Sequence, residues 1–146
     1  MSRRAGGFAS ILLVAGSLFA GCFSDRPTGP SGGGVVSFAN DVQPILSGSC
    51  AFSNCHGTNA NPSAKPMVLT SGQAYSNIVG VSSAELPSMQ RIQAGQPNSS
   101  YLIHKIQGTH LTVGGSGSRM PLGVAPLSQA RIDLIRSWVA NGAPQN

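Results

Sequence analysis

Residues 37–57, SFANDVQPILSGSCAFSNCHG, decide how the chain folds, because a helical pattern runs directly into two thiols and an imidazole. Phe38, Val42, Ile45 and Leu46 recur at spacings of three and four, which predicts an amphipathic helix over Ser37 to Gly48. Pro44 has a fixed φ and no N–H, so it belongs in a first turn or at a kink rather than deep in a regular helix. A short helix therefore delivers Cys50.

Three further helical patterns follow. Ser71 to Val79 offers a cap and the apolar set Ala74, Tyr75, Ile78 and Val79. Asn98-Ser99-Ser100 can cap a helix through Tyr101, Leu102, Ile103 and Ile106 that ends at Gly108. The last begins at Ser128, carries the stripe Ile132, Ile135, Trp138 and Val139, and stops before Gly142. Between them lie loops at Gly57 to Pro66, Ser82 to Pro97 and Thr109 to Pro126. No segment alternates as a strand does, so the expected class is all-α with long loops. Loops of that length in a small domain need something to organise them, and a buried cofactor would serve.

Two Cys followed at once by His is an arrangement that bonds haem. Each thiol adds to a vinyl group as a thioether, and the adjacent imidazole comes to lie under the iron. The usual spacing has two residues between the thiols; here there are four, Ala51 to Asn54, and the two extra residues would bulge out as a wider turn. On this motif alone two other readings stay open. A Cys50–Cys55 disulfide would leave His56 a surface residue. A zinc site would join Cys50, Cys55 and His56 to His104 or His110.

Sixty-four residues beyond His56, the run Gly114-Gly115-Ser116-Gly117-Ser118 leads into Arg119-Met120-Pro121, just ahead of the last helix. The thioether of Met is a soft neutral donor that favours Fe(II), so His56 and Met120 form a candidate axial pair with a raised reduction potential. Glycines before Met120 allow a close backbone approach, and Pro121 limits its swing. His104 and His110 are the rivals for the second axial position. Met67 and Met89 read as core filler.

The amino-terminal third reads as an export and tethering segment. Arg3 and Arg4 precede the apolar run FASILLVAGSLF (residues 8–19), which is too short to span a bilayer and fits a secretory signal. Phe19-Ala20-Gly21-Cys22 resembles a bacterial lipobox, with Phe19 where Leu is usual. The expected organisation is a lipoprotein signal over residues 1–21, lipid on Cys22, a flexible Gly/Pro/Ser tether over 22–36, and a domain over 37–146. Of three Cys in an exported chain, lipid on Cys22 leaves Cys50 and Cys55 as a pair.

Charge is sparse. Charged residues make up 9% of the chain, and the formal net charge of +5 falls to +3 without Arg3 and Arg4. Without a Lys/Arg run, nothing marks a nucleic-acid partner. Only 5% of residues are aromatic and there are 19 Gly and 10 Pro, so the side chains alone build a modest core.

Taken together the motifs resemble those of small exported one-haem c-type cytochrome domains, class I-like and of the planctomycete type. The likeness runs from Phe38, Asp41, Val42, Pro44, Ile45 and Leu46 through Cys55-His56-Gly57 to Gly95, Pro97, Ser99, Tyr101 and Leu102. It continues with Arg119-Met120-Pro121 and closes on Ile132, Ile135, Trp138, Val139, Gly142 and Ala143. This resemblance implies a helical cytochrome c fold wrapped around one covalent haem c, with the first and last helices crossing. With both axial positions filled there is no open site for substrate, so the expected role is electron carrier rather than enzyme, serving redox partner proteins. The expected place is the periplasmic or cell-surface face of a bacterial membrane, held by the lipid. A disulfide-stapled surface module that binds a partner and a haem sensor with an open axial site are the alternatives.

Overall fold

The computed structural model describes residues 34–58 and 67–146. The expected signal segment, Cys22, most of the tether, and residues 59–66 of the loop after His56 lie outside the described residues.

The architecture is helical, as the periodicity predicts. The helices are α1 (Gln43–Ser49), α2 (Ala74–Ile78), α3 (Tyr101–Gln107) and α4 (Gln129–Ala140), and the described residues contain no extended strand. The pattern expected as one helix over Ser37 to Gly48 divides in two. Phe38–Val42 forms a wide π turn, capped by the Ser37 hydroxyl accepting from the Asn40 N–H at 3.2 Å, with Asp41 accepting from the Ser37 N–H at 2.8 Å. Pro44 then sits in the first turn of α1, where its missing N–H leaves no intrahelical bond unmade. Val36, at the end of the expected tether, is already buried against the core.

α4 organises the core. Ile132, Leu134, Ile135, Trp138 and Val139 are all buried, and the helix packs on both the π turn and α3. Trp138 is fully enclosed. Its ring stands 5.2 Å from Phe38 and 6.4 Å from Tyr75, with Phe38 and Tyr75 edge to face at 5.3 Å. Its Nε1–H donates to the Pro144 carbonyl at 2.9 Å, so the indole satisfies its one donor while burying its faces. The two ends of the domain meet here. Asn146 accepts from the Phe38 N–H through Oδ1 at 2.7 Å and from the Ala39 N–H through its backbone oxygen at 2.8 Å.

α3 ends as expected, at Gly108 with φ +79°. Its start differs. Ser100 turns its hydroxyl inward, donating to the Gln96 carbonyl at 2.8 Å and accepting from the Gln93 N–H at 2.9 Å, and caps nothing. The loop over Ser82 to Pro97 is pinned rather than free. Isolated backbone pairings join Val79 to Ile92, Ser82 to Gln90, and Gln90 to Ser100. No helix of the described residues is long and apolar enough to cross a membrane.

Candidate functional site

α1 delivers Cys50 from its last turn, where the Cys50 N–H still donates to the Leu46 carbonyl at 2.9 Å. The next residues close a compact loop. The Phe52 carbonyl accepts from the N–H groups of Cys55 and Gly57, both at 2.9 Å, and the His56 N–H donates to the Cys50 carbonyl at 3.1 Å. Phe52, Ser53 and Asn54 are exposed, and Phe52 and Asn54 stand at the edge of the cleft that the thiols line. The four intervening residues thus form a wide, hydrogen-bonded turn. Gly57 makes it possible, since a Cβ there would lie 2.9 Å from the Phe52 oxygen and 3.0 Å from its carbonyl carbon.

Both thiols are unbonded, with Cys50 half-buried and Cys55 exposed. Burial, and secondarily the neighbouring Cys55, push the Cys50 thiol up to about 11. His56 is buried, and its Nδ1 lies 3.0 Å from the Met67 carbonyl. A carbonyl only accepts, so Nδ1 carries the proton and Nε2 keeps the lone pair. Burial holds the ring's pKa below its ordinary value, with the Met67 bond acting in the opposite sense. A neutral imidazole is the form that binds a metal.

Cys50, Cys55, His56 and Met120 all line one cleft of about 250 Å³, although Met120 comes from the far part of the chain. Leu46, Leu69, Leu102, Ile106, Leu127 and Ile135 supply its apolar lining. Met120 is anchored through its N–H to the Lys105 carbonyl at 3.0 Å. Its peptide bond to Pro121 is cis.

The rival ligands do not line this cleft. His104 engages Thr109 Oγ1 through Nδ1 and the Asn98 carbonyl through Nε2, both at 2.9 Å. His110 is buried elsewhere, with Nε2 donating to the Gly117 carbonyl at 2.9 Å. Among the described residues no three of His, Cys, Asp or Glu group as a metal-holding set. The set that the zinc reading requires, Cys50, Cys55 and His56 with His104 or His110, is therefore not brought together. Met67 packs against the core, as expected, and also lines the cleft, where its carbonyl holds the far nitrogen of the imidazole and so places it on the His56 wall.

Sequence reasoning missed a polar group on the cleft: Glu85, Arg91, Tyr101 and Lys105. Lys105 is buried and paired with Glu85 at 2.7 Å, rather than lying in solvent beside His104. Arg91 donates to the Asn77 carbonyl at 2.7 Å. The only signal was the four-residue spacing of Tyr101 and Lys105, which puts them on one face of α3. Arg119 lies over Gly108 instead of lining the cleft. Trp138 packs with Phe38 and Tyr75 and does not line the cleft.

The arrangement offers two thiols able to form carbon–sulfur bonds, one imidazole nitrogen and one thioether as metal donors, and an apolar wall around them. Compared with family models, curated proteins and solved structures, the chain has no match.

Proposed function

We propose that the protein is an exported, lipid-anchored electron carrier holding one haem c through thioethers at Cys50 and Cys55, with His56 and Met120 as axial ligands. The observation that carries this reading is the convergence of these four residues on one apolar cleft. The donor set fits the group. Two unbonded thiols precede an imidazole whose Nδ1 is tied to Met67, so Nε2 remains as the ligating nitrogen.

Bound haem supplies a one-electron couple between ferric and ferrous iron. The chain's own residues do the rest. His56 is held in one tautomer and orientation by the Met67 carbonyl, so no proton need move at the ring when the electron does. Met120, a neutral soft donor, favours the ferrous form and raises the potential. Leu46, Leu69, Leu102, Ile106, Leu127 and Ile135 exclude water, which lowers the local dielectric and works in the same direction. His56 and Met120 would together hold the iron and leave no position open to substrate, so the role would be outer-sphere transfer between redox partner proteins. The amino-terminal signal and Cys22 support a periplasmic or cell-surface location, with the lipid as the membrane contact.

A pyridine haemochrome spectrum tests the reading, using protein made in a host with haem-attachment machinery. The expected result is one haem per chain with two thioether links. In the oxidised protein a methionine-to-iron band appears toward the red, and Met120→Ala abolishes it. Colourless protein whose mass shows a Cys50–Cys55 disulfide would establish the stapled module instead.

A further inference from the structure

The Gly-rich segment that carries Met120 has little regular structure of its own. It is fastened to α3 and to the turn after it by buried side chains. Lys105 Nζ donates to Glu85 Oε2 at 2.7 Å and to the Ser116 carbonyl at 3.1 Å. The Tyr101 hydroxyl donates to the same Glu85 oxygen at 2.8 Å and accepts from the Ser116 N–H at 3.2 Å. His110 Nε2 donates to the Gly117 carbonyl, and the Gly115 N–H donates to the His110 carbonyl, both at 2.9 Å. The last tie is at Met120 itself, whose N–H donates to the Lys105 carbonyl.

These contacts converge on one carboxylate. Glu85 comes from a different loop and holds the two α3 side chains that grip Ser116. Tyr101 and Lys105 are both buried, so neither can exchange its partner for water without cost. The fit is close, because a side chain at Gly115 would run into the Tyr101 hydroxyl, and one at Gly117 would meet Glu85 Oε1 at 3.2 Å. Removing Glu85 would leave Lys105 as a buried cation and loosen both grips on Ser116, four residues before Met120.

We propose that Glu85, acting through Tyr101 and Lys105, is the positioning residue for Met120: it fixes the segment 114–120 so that the thioether stays at the cleft. This rests on the reading of Met120 as an iron ligand. The cluster then determines how firmly Met120 competes with any other donor for the iron.

Titration of the oxidised holoprotein with imidazole reads that competition directly. Glu85→Ala and the nearly isosteric Tyr101→Phe should keep one haem and two thioether links. In each, imidazole should displace Met120 at about tenfold lower concentration than in wild type, the scale of one or two buried hydrogen bonds lost. Glu85→Gln keeps an acceptor for Tyr101 without the charge, and should fall between. In a Met120→Ala background, adding Glu85→Ala should leave imidazole affinity unchanged, since the ligand being positioned is gone. Wild-type affinity in both Glu85→Ala and Tyr101→Phe would overturn the proposal. So would an equal gain with and without Met120, which would make the cluster a property of the cleft wall. Wild-type protein without haem or without the methionine band overturns the functional reading first, before any variant is made, and the positioning role with it.

Discussion

His56 Nδ1 meets the backbone oxygen of Met67 at 3.0 Å, so a carbonyl eleven residues along the chain sets the orientation and tautomer of the imidazole. Met67 does this with its main chain, leaving its side chain dispensable to the geometry. Met67→Leu should therefore keep the methionine-to-iron band and cost less than about 1.5 kcal/mol, as volume-conserving apolar exchanges do. Met120→Leu should lose the band. Absorbance of the oxidised variants separates the two methionines.

Gly57 and Gly48 predict opposite outcomes for the same substitution. Gly57→Ala forces a Cβ against the Phe52 carbonyl, a backbone group that cannot swing aside. The expected loss is about 1–3 kcal/mol, or roughly 4–8 °C of melting temperature per kcal/mol in a domain of this size. Gly48 lies within α1 and nothing stands within 4 Å of its missing Cβ. Gly48→Ala should be neutral or stabilise by up to about 1 kcal/mol. Thermal unfolding followed by far-ultraviolet circular dichroism measures both.

The Cys50 thiol, raised by burial to about 11, favours its neutral form in the folded chain. Because the folded value lies above the ordinary one, its contribution to stability is present below the ordinary thiol range and is lost as pH rises toward 11. In protein without haem, alkylation of Cys50 at pH 8 should be much slower than in the urea-unfolded chain. Its rate should climb about tenfold per pH unit until near the raised value. Mass spectrometry of tryptic peptides reports the site.

For Glu85, desolvation pushes the carboxyl up, but the hydrogen bonds from Lys105 and Tyr101 outweigh it and hold the group below its ordinary value. A depressed folded pKa stabilises the fold above the ordinary carboxylate range, and that contribution disappears as pH falls through the depressed value. Acid unfolding of wild type should show this limb. Glu85→Gln should flatten it while lowering stability at neutral pH.

Trp138 belongs to the aromatic core and not to the cleft wall. Trp138→Ala should cost about 3–5 kcal/mol by leaving a cavity among Phe38, Tyr75 and the carbonyl of Pro144. Holoprotein that still folds should keep an unaltered axial spectrum. Denaturant unfolding and absorbance, run on one sample, test both halves.

Helix periodicity made the existence and register of α4 legible, because Ile132, Ile135, Trp138 and Val139 repeat at helical spacing and all bury. The Cys50–His56 stretch stands out in the sequence because its pattern is local, and Met120 because a Gly-rich run precedes it; that they line one cleft is visible only in the fold. The π turn was hidden, since periodicity registers an apolar face but not how a proline two residues ahead redistributes the hydrogen bonds. The Glu85–Lys105 pair was hidden for another reason. Its partners stand twenty residues apart, and a lysine on a helix reads as solvated until tertiary contacts cover it. The packing of Trp138 on Phe38 and Tyr75 was hidden too, because a stripe says that a residue is buried, not against what.

The loop from Cys50 to Gly57 closes over hydrogen bonds that span no more than six residues, whereas the Met120 side is held by ties reaching back to α3 and Glu85. Short closures cost little chain entropy and form early; distant ones wait for the body of the domain. An emerging chain can thus set the backbone spacing of Cys50, Cys55 and His56 while the opposite wall is still unformed, and the imidazole takes its final orientation once Met67 joins it. Order of assembly is written into the unequal reach of the two halves of the cleft.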